Sequence, residues 1–257
     1  MTNKYRRARK KRKKRWPYLL SFFLLVILGS GIGAYLAKPS LFSGLQFWKA
    51  KKTAVTTPSS SKKKKEKSDL PAVSTKDWQL ILVNRDNVKP ELNPQLTDVD
   101  AIKVDSRIVE PTRQFLEAAR KIAPEETLIS GYRSVAEQTE LYNERVAQLE
   151  ASGLSHEEAE KQVQTQVQVP GASEHQTGLA IDMSVEAGQS DELGLQLAAI
   201  APQYGFVLRY PDGKSNITGV NFENWHFRYV GVENAQYMAN HQLVLEEYIQ
   251  LLKKAGK

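Results

Sequence analysis

Apolar and polar positions divide the chain into three stretches of different character. From Tyr18 to Ala37, twenty residues pass without a charge, dominated by Leu, Phe, Ile, Val and Gly. At 1.5 Å per helical residue this run reaches ~30 Å, about the thickness of a bilayer's hydrocarbon core. It predicts a transmembrane helix, with Trp16 and Tyr18 at the membrane interface. Residues 38–76 show little hydrophobic periodicity. They carry the stretch TTPSSS and the run Lys62–Lys65, the composition of an extended, self-repelling linker. From about residue 77 the pattern is that of a globular domain.

Within that domain, WQLILVN (78–84) reads as a buried strand, followed by an irregular Pro/Asn-rich piece to about Val104. Residues 106–122 predict a helix, with Pro111 early in it and Phe115, Leu116, Ala119 and Ile122 as apolar contacts. TLISGYRS (127–134) predicts a strand ending at Gly131. Ser134 with Glu137, and Ser155 with Glu158, are capping-box pairs that start helices running to about Glu150 and Gln168. After the turn at Pro170-Gly171 comes a short strand, GLAIDMS (178–184). Residues 191–204 predict a helix stopped by Gly205. FVLRY (206–210) and HFRYVG (226–231) predict strands joined by a turn at Pro211-Asp212-Gly213, and a final helix is expected over about 234–253. There is no regular βαβ alternation, no glycine-rich phosphate loop and no internal repeat. The expected class is α+β, a mixed or antiparallel sheet with flanking helices, plus the N-terminal transmembrane helix.

The net charge of +7 would suit a nucleic-acid binder, but its distribution argues otherwise. Residues 1–15 hold ten Lys/Arg and no acid, and residues 38–67 hold nine Lys and one Glu. The 17 basic and 28 acidic residues left in 68–257 give the folded part a balance of −11, which excludes a phosphate-seeking surface there. The basic cluster ahead of the apolar run predicts a cytoplasmic N-terminus and an extracellular domain. A cleaved signal peptide is the alternative; the run is longer than a signal-peptide core and no A-x-A site follows it. The expected organisation is a basic cytoplasmic tail (1–17), a membrane anchor (18–37), a linker (38–76) and an extracellular domain (77–257). There are no cysteines, so disulfides, thiolate metal sites and a cysteine nucleophile are excluded.

Two of the four histidines stand in chemically suggestive company. In PGASEHQTGLAIDMS, a loop carries His175 and the following strand carries Asp182; in NFENWHFRYVG, Glu223 precedes His226 by three residues. Two imidazoles and one carboxylate supply three protein ligands and leave a fourth tetrahedral position open, the arrangement of a catalytic zinc site. Glu223 is then available as a carboxylate outside the metal shell to accept a proton. Each residue also has a structural reading, a satisfied strand histidine or a strand-end acid, and spacing alone does not separate the two. His156 and His241 are expected at the surface. Trp225, Phe227 and Tyr229 alternate as a strand face does and are expected in the core.

The composite pattern S-E-H-x-x-G-x-A-x-D followed by E-x-W-H is more specific. With SGYRS, it resembles the D-alanyl-D-alanine carboxypeptidase-like family of bacterial metallopeptidases. Within that family the chain is similar to vancomycin-resistance-type D,D-carboxypeptidases and to the L,D-carboxypeptidases of Gram-positive walls. The resemblance covers roughly residues 78–250. It implies the zinc fold shared by lysostaphin-type peptidases, D-Ala-D-Ala peptidases and the hedgehog domain, with His175, Asp182 and His226 as ligands of Zn2+ and Glu223 as general base. It also implies that Arg133 contacts substrate, with Ser173 and Gln138 as further candidates. A guanidinium suits this role because it binds a C-terminal carboxylate through two parallel hydrogen bonds; a salt bridge near a helix start is the structural alternative. The expected activity is removal of a terminal D-alanine from peptidoglycan stem peptides, with L,D-carboxypeptidase chemistry placed first and D,D-carboxypeptidase chemistry second. A zinc endopeptidase and a non-catalytic wall-binding module are the rivals from other classes.

Overall fold

A four-stranded antiparallel sheet organises the computed structural model, which describes residues 69–257. The basic tail, the expected anchor at 18–37 and most of the linker lie outside the described residues. Among the described residues, no helix is long and apolar enough to cross a membrane.

A hairpin of β1 (Leu96–Val99) and β2 (Ile102–Asp105) comes first, within the stretch expected to be irregular; it turns at Asp100, whose φ is 48°. After a 3-10 turn at Ser106–Ile108 comes helix α1 (Val109–Ile122). Pro111 is tolerated there because the first-turn N–H groups have no intrahelical partner to lose. Strand β3 (Thr127–Ser130) leads to α2 (Val135–Ala151) and α3 (His156–Val163), each opened by the capping box read from the sequence. Then follow β4 (Ala180–Ser184), α4 (Asp191–Ile200), β5 (Phe206–Tyr210), the single turn α5 (Ser215–Thr218) and β6 (Glu223–Tyr229). The chain closes with α6 (Val232–Asn240) and α7 (Leu245–Lys254). The sheet order is β3-β4-β6-β5, and every neighbouring pair is antiparallel.

Strand alternation gives this sheet two unlike faces. Ile181, Met183, Phe206 and Phe227 pack with Leu128 against Phe115, Leu116 and Ala119 of α1 and Leu197 of α4. The Phe115 ring lies 5.2 Å from Phe206 and 5.1 Å from Phe227, centroid to centroid. On the other face, Ala180 is paired with Arg228 and Asp182 with His226. That face is also closed over. Val207 and Val230 join Leu80 and the apolar sides of α6 and α7 in a second core. Its polar side chains are therefore buried, and each must find a partner or hold a ligand. Phe227 is in the core as expected, and Tyr229 stacks on Trp78 at 5.9 Å; Trp225 is half-buried.

Besides the β1–β2 hairpin, three elements differ from the sequence expectation for identifiable reasons. WQLILVN is not a strand. Trp78–Leu80 is a 3-10 turn, and the carbonyls of Gln79 and Ile81 accept hydrogen bonds from Arg228 Nη2 instead of a ladder partner. The helix expected to reach Gln168 stops at Val163, where Arg85 donates to the carbonyl of Gln164 and to the side chain of Gln168. The expected last helix is two. Gln242, at φ 53°, stands where a glycine usually ends a helix, with Leu243 N–H bonded to the Met238 carbonyl, and Glu247 accepts from Val244 N–H to start the next.

Glu126, in the loop before β3, is buried, and neither carboxylate oxygen has a hydrogen-bond partner among the described residues. Burial pushes its carboxyl up to about 7, against the charge of Arg120. A carboxyl raised above its unfolded value binds its proton more tightly in the native state. The ionisation penalty is therefore absent below the unfolded value, grows as pH rises, and is complete above about 7. Glu126→Gln is expected to stabilise the protein by about 1–2 kcal/mol at pH 8 and to change little at pH 4, as measured by urea denaturation at both values.

Candidate metal centre

Three side chains from two strands and a loop converge on the polar face of the sheet. Asp182, in mid-β4, faces His226 across the β4–β6 ladder. His175 arrives from the 3-10 turn Glu174–Thr177, which ends at Gly178 with φ 68°. A side chain at Gly178 would be strained by that φ and would place its Cβ 2.8 Å from the backbone nitrogen of Asp105. Gly131 is under a similar constraint, since its Cβ would lie 2.3 Å from the Lys103 carbonyl oxygen. The glycines of the two motifs thus let the β1–β2 hairpin close against the loops that deliver His175 and Arg133.

Each of His175, Asp182 and His226 offers one ligand atom, and these atoms all lie within 4.8 Å of one another. All three residues are buried. His175 Nδ1 is 2.6 Å from the Gly131 carbonyl oxygen, which fixes the proton on that nitrogen and leaves Nε2, 3.4 Å from Asp182 Oδ2, with its lone pair toward the cluster. His226 presents Nδ1, 3.1 Å from Asp182 Oδ1 and 3.7 Å from Glu223 Oε2. Asp182 Oδ1 has no hydrogen-bond partner among the described residues. A buried carboxylate that faces one imidazole nitrogen with each oxygen, and whose Oδ1 has no donor, fits a divalent metal of zinc type in chemistry and in number of ligands.

Glu223 reaches this group through an irregularity in the sheet. In β5–β6, Leu208 pairs with Phe227 but Tyr210 pairs with Glu223, a slip of two residues. Residues 223 and 226 would face opposite sides of a regular strand, and the irregularity brings the carboxylate to His226. Burial pushes the Glu223 carboxyl up to about 8, opposed by the charge of His226. His175 is held down to about 3, chiefly by burial. For His226, burial is outweighed by its contacts with Asp182 and Glu174, which bring it to about 9.

Arg133 is tied to the cluster through its backbone, whose N–H donates to the His175 carbonyl at 3.2 Å. Its guanidinium donates to Gln138 Oε1 at 2.9 Å and to Ser130 Oγ at 3.0 Å. Burial lowers its pKa, against the charges of Asp182, Glu137 and Glu223. Gln138 is buried with both ends of its amide in use, the second donating to the Gln168 carbonyl at 2.6 Å. It therefore links the Arg133 guanidinium to the Gln168 backbone. Ser173 is buried at the start of the 3-10 turn, and its side chain does not cap that turn. His156 and His241 are exposed, as expected; the first is 2.8 Å from Glu150 and the second stacks on Tyr237.

Sequence reasoning passed over the charges beneath the ligands. Glu174 Oε1 accepts from Arg209 Nε and Arg228 Nη1, both at 2.8 Å. Arg209 also donates twice to Glu246, whose Oε1 takes a further bond from Asn84. Burial opposes the ionised form of Glu174, yet the two guanidiniums hold its carboxyl far below the usual range. The available signal was an arginine inside each of two otherwise apolar strands, FVLRY and HFRYVG. Arg209→Met leaves Glu246 without its two arginine bonds, and is expected to cost about 3–5 kcal/mol in urea denaturation. Arg209→Met combined with Glu246→Met should recover part of that loss.

Comparison with known proteins agrees with this geometry. The family model described as VanY, D-alanyl-D-alanine carboxypeptidase, matches residues 101–232. A D-alanyl-D-alanine carboxypeptidase of Enterococcus faecalis is 38% identical over 181 residues, spanning 69% of this chain and 68% of that protein. A mutant of the vancomycin-resistance D,D-pentapeptidase VanY, solved in complex with Zn(II), superposes with a TM-score of 0.63 at 38% identity, over 67% of this chain and 99% of the other. The LdcB LD-carboxypeptidase gives a TM-score of 0.56 at 30% identity, over 66% and 84%. The chain belongs to the VanY family of D-alanyl-D-alanine carboxypeptidases.

Proposed function

We propose that the chain is a zinc-dependent carboxypeptidase that removes the terminal D-alanine from peptidoglycan stem peptides. The observation that carries this reading is Arg133, whose backbone N–H donates to the His175 carbonyl and whose guanidinium is supported by Gln138 and Ser130, beside a buried His/Asp/His cluster and an extra carboxylate. Gln138 and Ser130 use two of its five N–H donors, leaving three for a substrate's terminal carboxylate. An endopeptidase acting within a cross-bridge has no such terminus to bind.

In this reading His175 Nε2, Asp182 and His226 Nδ1 hold the metal. A zinc ion there would lower the pKa of a water molecule and polarise the scissile carbonyl. Arg133 anchors the substrate's carboxylate and so sets which peptide bond lies over the cluster. Glu223 takes the proton of the attacking water and returns it to the leaving amine, a role open to a buried carboxylate that stands 3.7 Å from His226 and outside the three-ligand set. Ser173, buried at the start of the turn that carries His175, is assigned to the substrate side. The proposal includes the outer face of the cytoplasmic membrane as the site of action, with residues 18–37 as tether.

The sequence reading placed L,D-cleavage of tetrapeptides first and D,D-cleavage of pentapeptides second. We take the D,D reading as the first choice, on the 38% identity with a D-alanyl-D-alanine carboxypeptidase and with a D,D-pentapeptidase structure; LdcB and a D,D-dipeptidase both stand at 30%. Incubation of the purified chain with tetrapeptide and pentapeptide muropeptides, followed by mass analysis, is expected to show loss of one alanine from the pentapeptide. Loss from the tetrapeptide alone would reinstate the L,D reading, and loss from neither would overturn the proposal.

Glu223→Gln is expected to retain the metal and lower kcat by about 10²–10⁴. Loss of metal together with turnover would make Glu223 a ligand. Arg133→Ala is expected to lower kcat/KM on stems with a free carboxylate by about 10–100-fold, the worth of hydrogen bonds to a charged group, and to matter little on stems amidated at the terminus. Gln138→Ala should act in the same direction and less.

A further inference from the structure

Two buried atoms beside the ligand cluster lack a hydrogen-bond partner among the described residues: Nε2 of His226 and Oε2 of Glu174. They face each other at 3.8 Å, within ion-pair range and a small side-chain rotation from a hydrogen bond. The other ring nitrogen, Nδ1, is on the side of Asp182 and Glu223. The imidazole thus presents one nitrogen to the cluster and the other to a carboxylate.

This arrangement bears on tautomer choice. A neutral imidazole carries one proton, and a lone pair on Nδ1 requires that proton to sit on Nε2. His175 solves the same problem in mirror fashion, with Nδ1 bonded to a backbone carbonyl. His226 has no backbone acceptor, and Glu174 stands in the corresponding place. The carboxylate is itself fixed, because Arg209 and Arg228 both bond to Oε1 and leave Oε2 turned to the ring.

We propose that Glu174 is a positioning residue that keeps His226 protonated on Nε2 and its Nδ1 directed at the metal ligands. The proposal rests on the metal reading given above. It assigns Glu174 a task beyond neutralising two buried arginines, and Glu246 provides the control. Glu246 belongs to the same charge cluster, bonded to Arg209 and Asn84, and among the described residues no hydrogen bond or ion pair joins it to His226.

The test is zinc affinity of the full chain, by competition with a chromophoric chelator, for wild type, Glu174→Gln, Glu174→Asp and Glu246→Gln. In Glu174→Gln the arginines retain the amide oxygen and turn the amide N–H2 toward His226, favouring the wrong tautomer. Zinc affinity is expected to fall by about 10–100-fold, the usual effect of losing an outer partner of a ligating histidine. Nitrogen-15 spectra of the metal-free chains, recorded at a pH where the His226 ring is neutral, should show its proton on Nδ1 in Glu174→Gln and on Nε2 in wild type. Glu174→Asp keeps the charge facing the arginines but shortens the reach to the ring. It is expected to lose affinity as well, and it decides the case if Glu174→Gln does not fold. Glu246→Gln should bind zinc as wild type does, even if it melts earlier. Affinity in both Glu174 variants equal to that of Glu246→Gln would overturn this inference alone. A wild-type chain that takes up no zinc would overturn the metal reading and this inference with it.

Discussion

A carboxylate with no access to water, gripped by two guanidiniums, is the constraint on which the rest of this structure depends. Glu174 brings one negative charge to a cluster that holds Arg209, Arg228 and Glu246, so the formal charges cancel. Cancellation alone would not make such burial tolerable; each charge must also be hydrogen-bonded. Arg228 meets this need by bonding the carbonyls of Gln79 and Ile81, and Glu246 by accepting from Asn84. The N-terminal segment and α7 are thereby drawn onto the polar face of the sheet from opposite ends of the domain. They seal that face, and the sealing leaves the His/Asp/His cluster in a low-dielectric site where unpartnered lone pairs favour a cation.

Register delivers the chemistry to that sealed face. An unbroken β4–β6 ladder sets Asp182 opposite His226 with no freedom to slip, since a one-residue shift would send Phe227 and Ile181 out of the apolar core. Both neighbouring ladders are irregular. The β3–β4 pairing shifts by one residue between Leu128 and Ser130, and β5–β6 by two between Leu208 and Tyr210. These irregularities lie beside the site, where they aim Ser130 at Arg133 and Glu223 at His226. The central ladder is regular because it places ligands; its flanks are irregular because they place the groups that serve them.

Most of this was legible in the sequence wherever the signal was local. The capping boxes at Ser134 and Ser155, the stop at Gly205 and the strands around Asp182 and His226 depend on neighbours within a few residues, and the structure keeps them. The convergence of His175, Asp182 and His226 could be read only from the composite motif, since spacing does not show that two segments meet. What stayed hidden is set by long-range partners. WQLILVN has the apolar content of a strand, but Arg228, some 150 positions away in sequence, takes its carbonyls. The break in the last helix was masked because Gln242 occupies a left-handed position that carries no glycine to announce it. Glu174 was in plain view in S-E-H, but its role depends on two arginines in separate strands.

The two sides of the site are held by different kinds of bond, and this has a consequence for specificity. On the metal side, Asp182 and His226 are fixed by ladder hydrogen bonds and apolar packing. On the carboxylate side, Arg133 is held by side chains: Gln138 bonds Arg133 and the Gln168 carbonyl, and Arg85 bonds the Gln168 side chain. Glu91 bonds Tyr132 and the first N–H of α2. A substitution in this second network moves the guanidinium without disturbing the ladder that sets Asp182 opposite His226. Under the proposed reading, tetrapeptide and pentapeptide stems present the same one-residue spacing between scissile bond and terminal carboxylate, so one position of Arg133 serves both. What separates D,D from L,D cleavage is the residue before the cut, so the distinction should be sought in the side chains that would line its pocket and not in the network that holds Arg133.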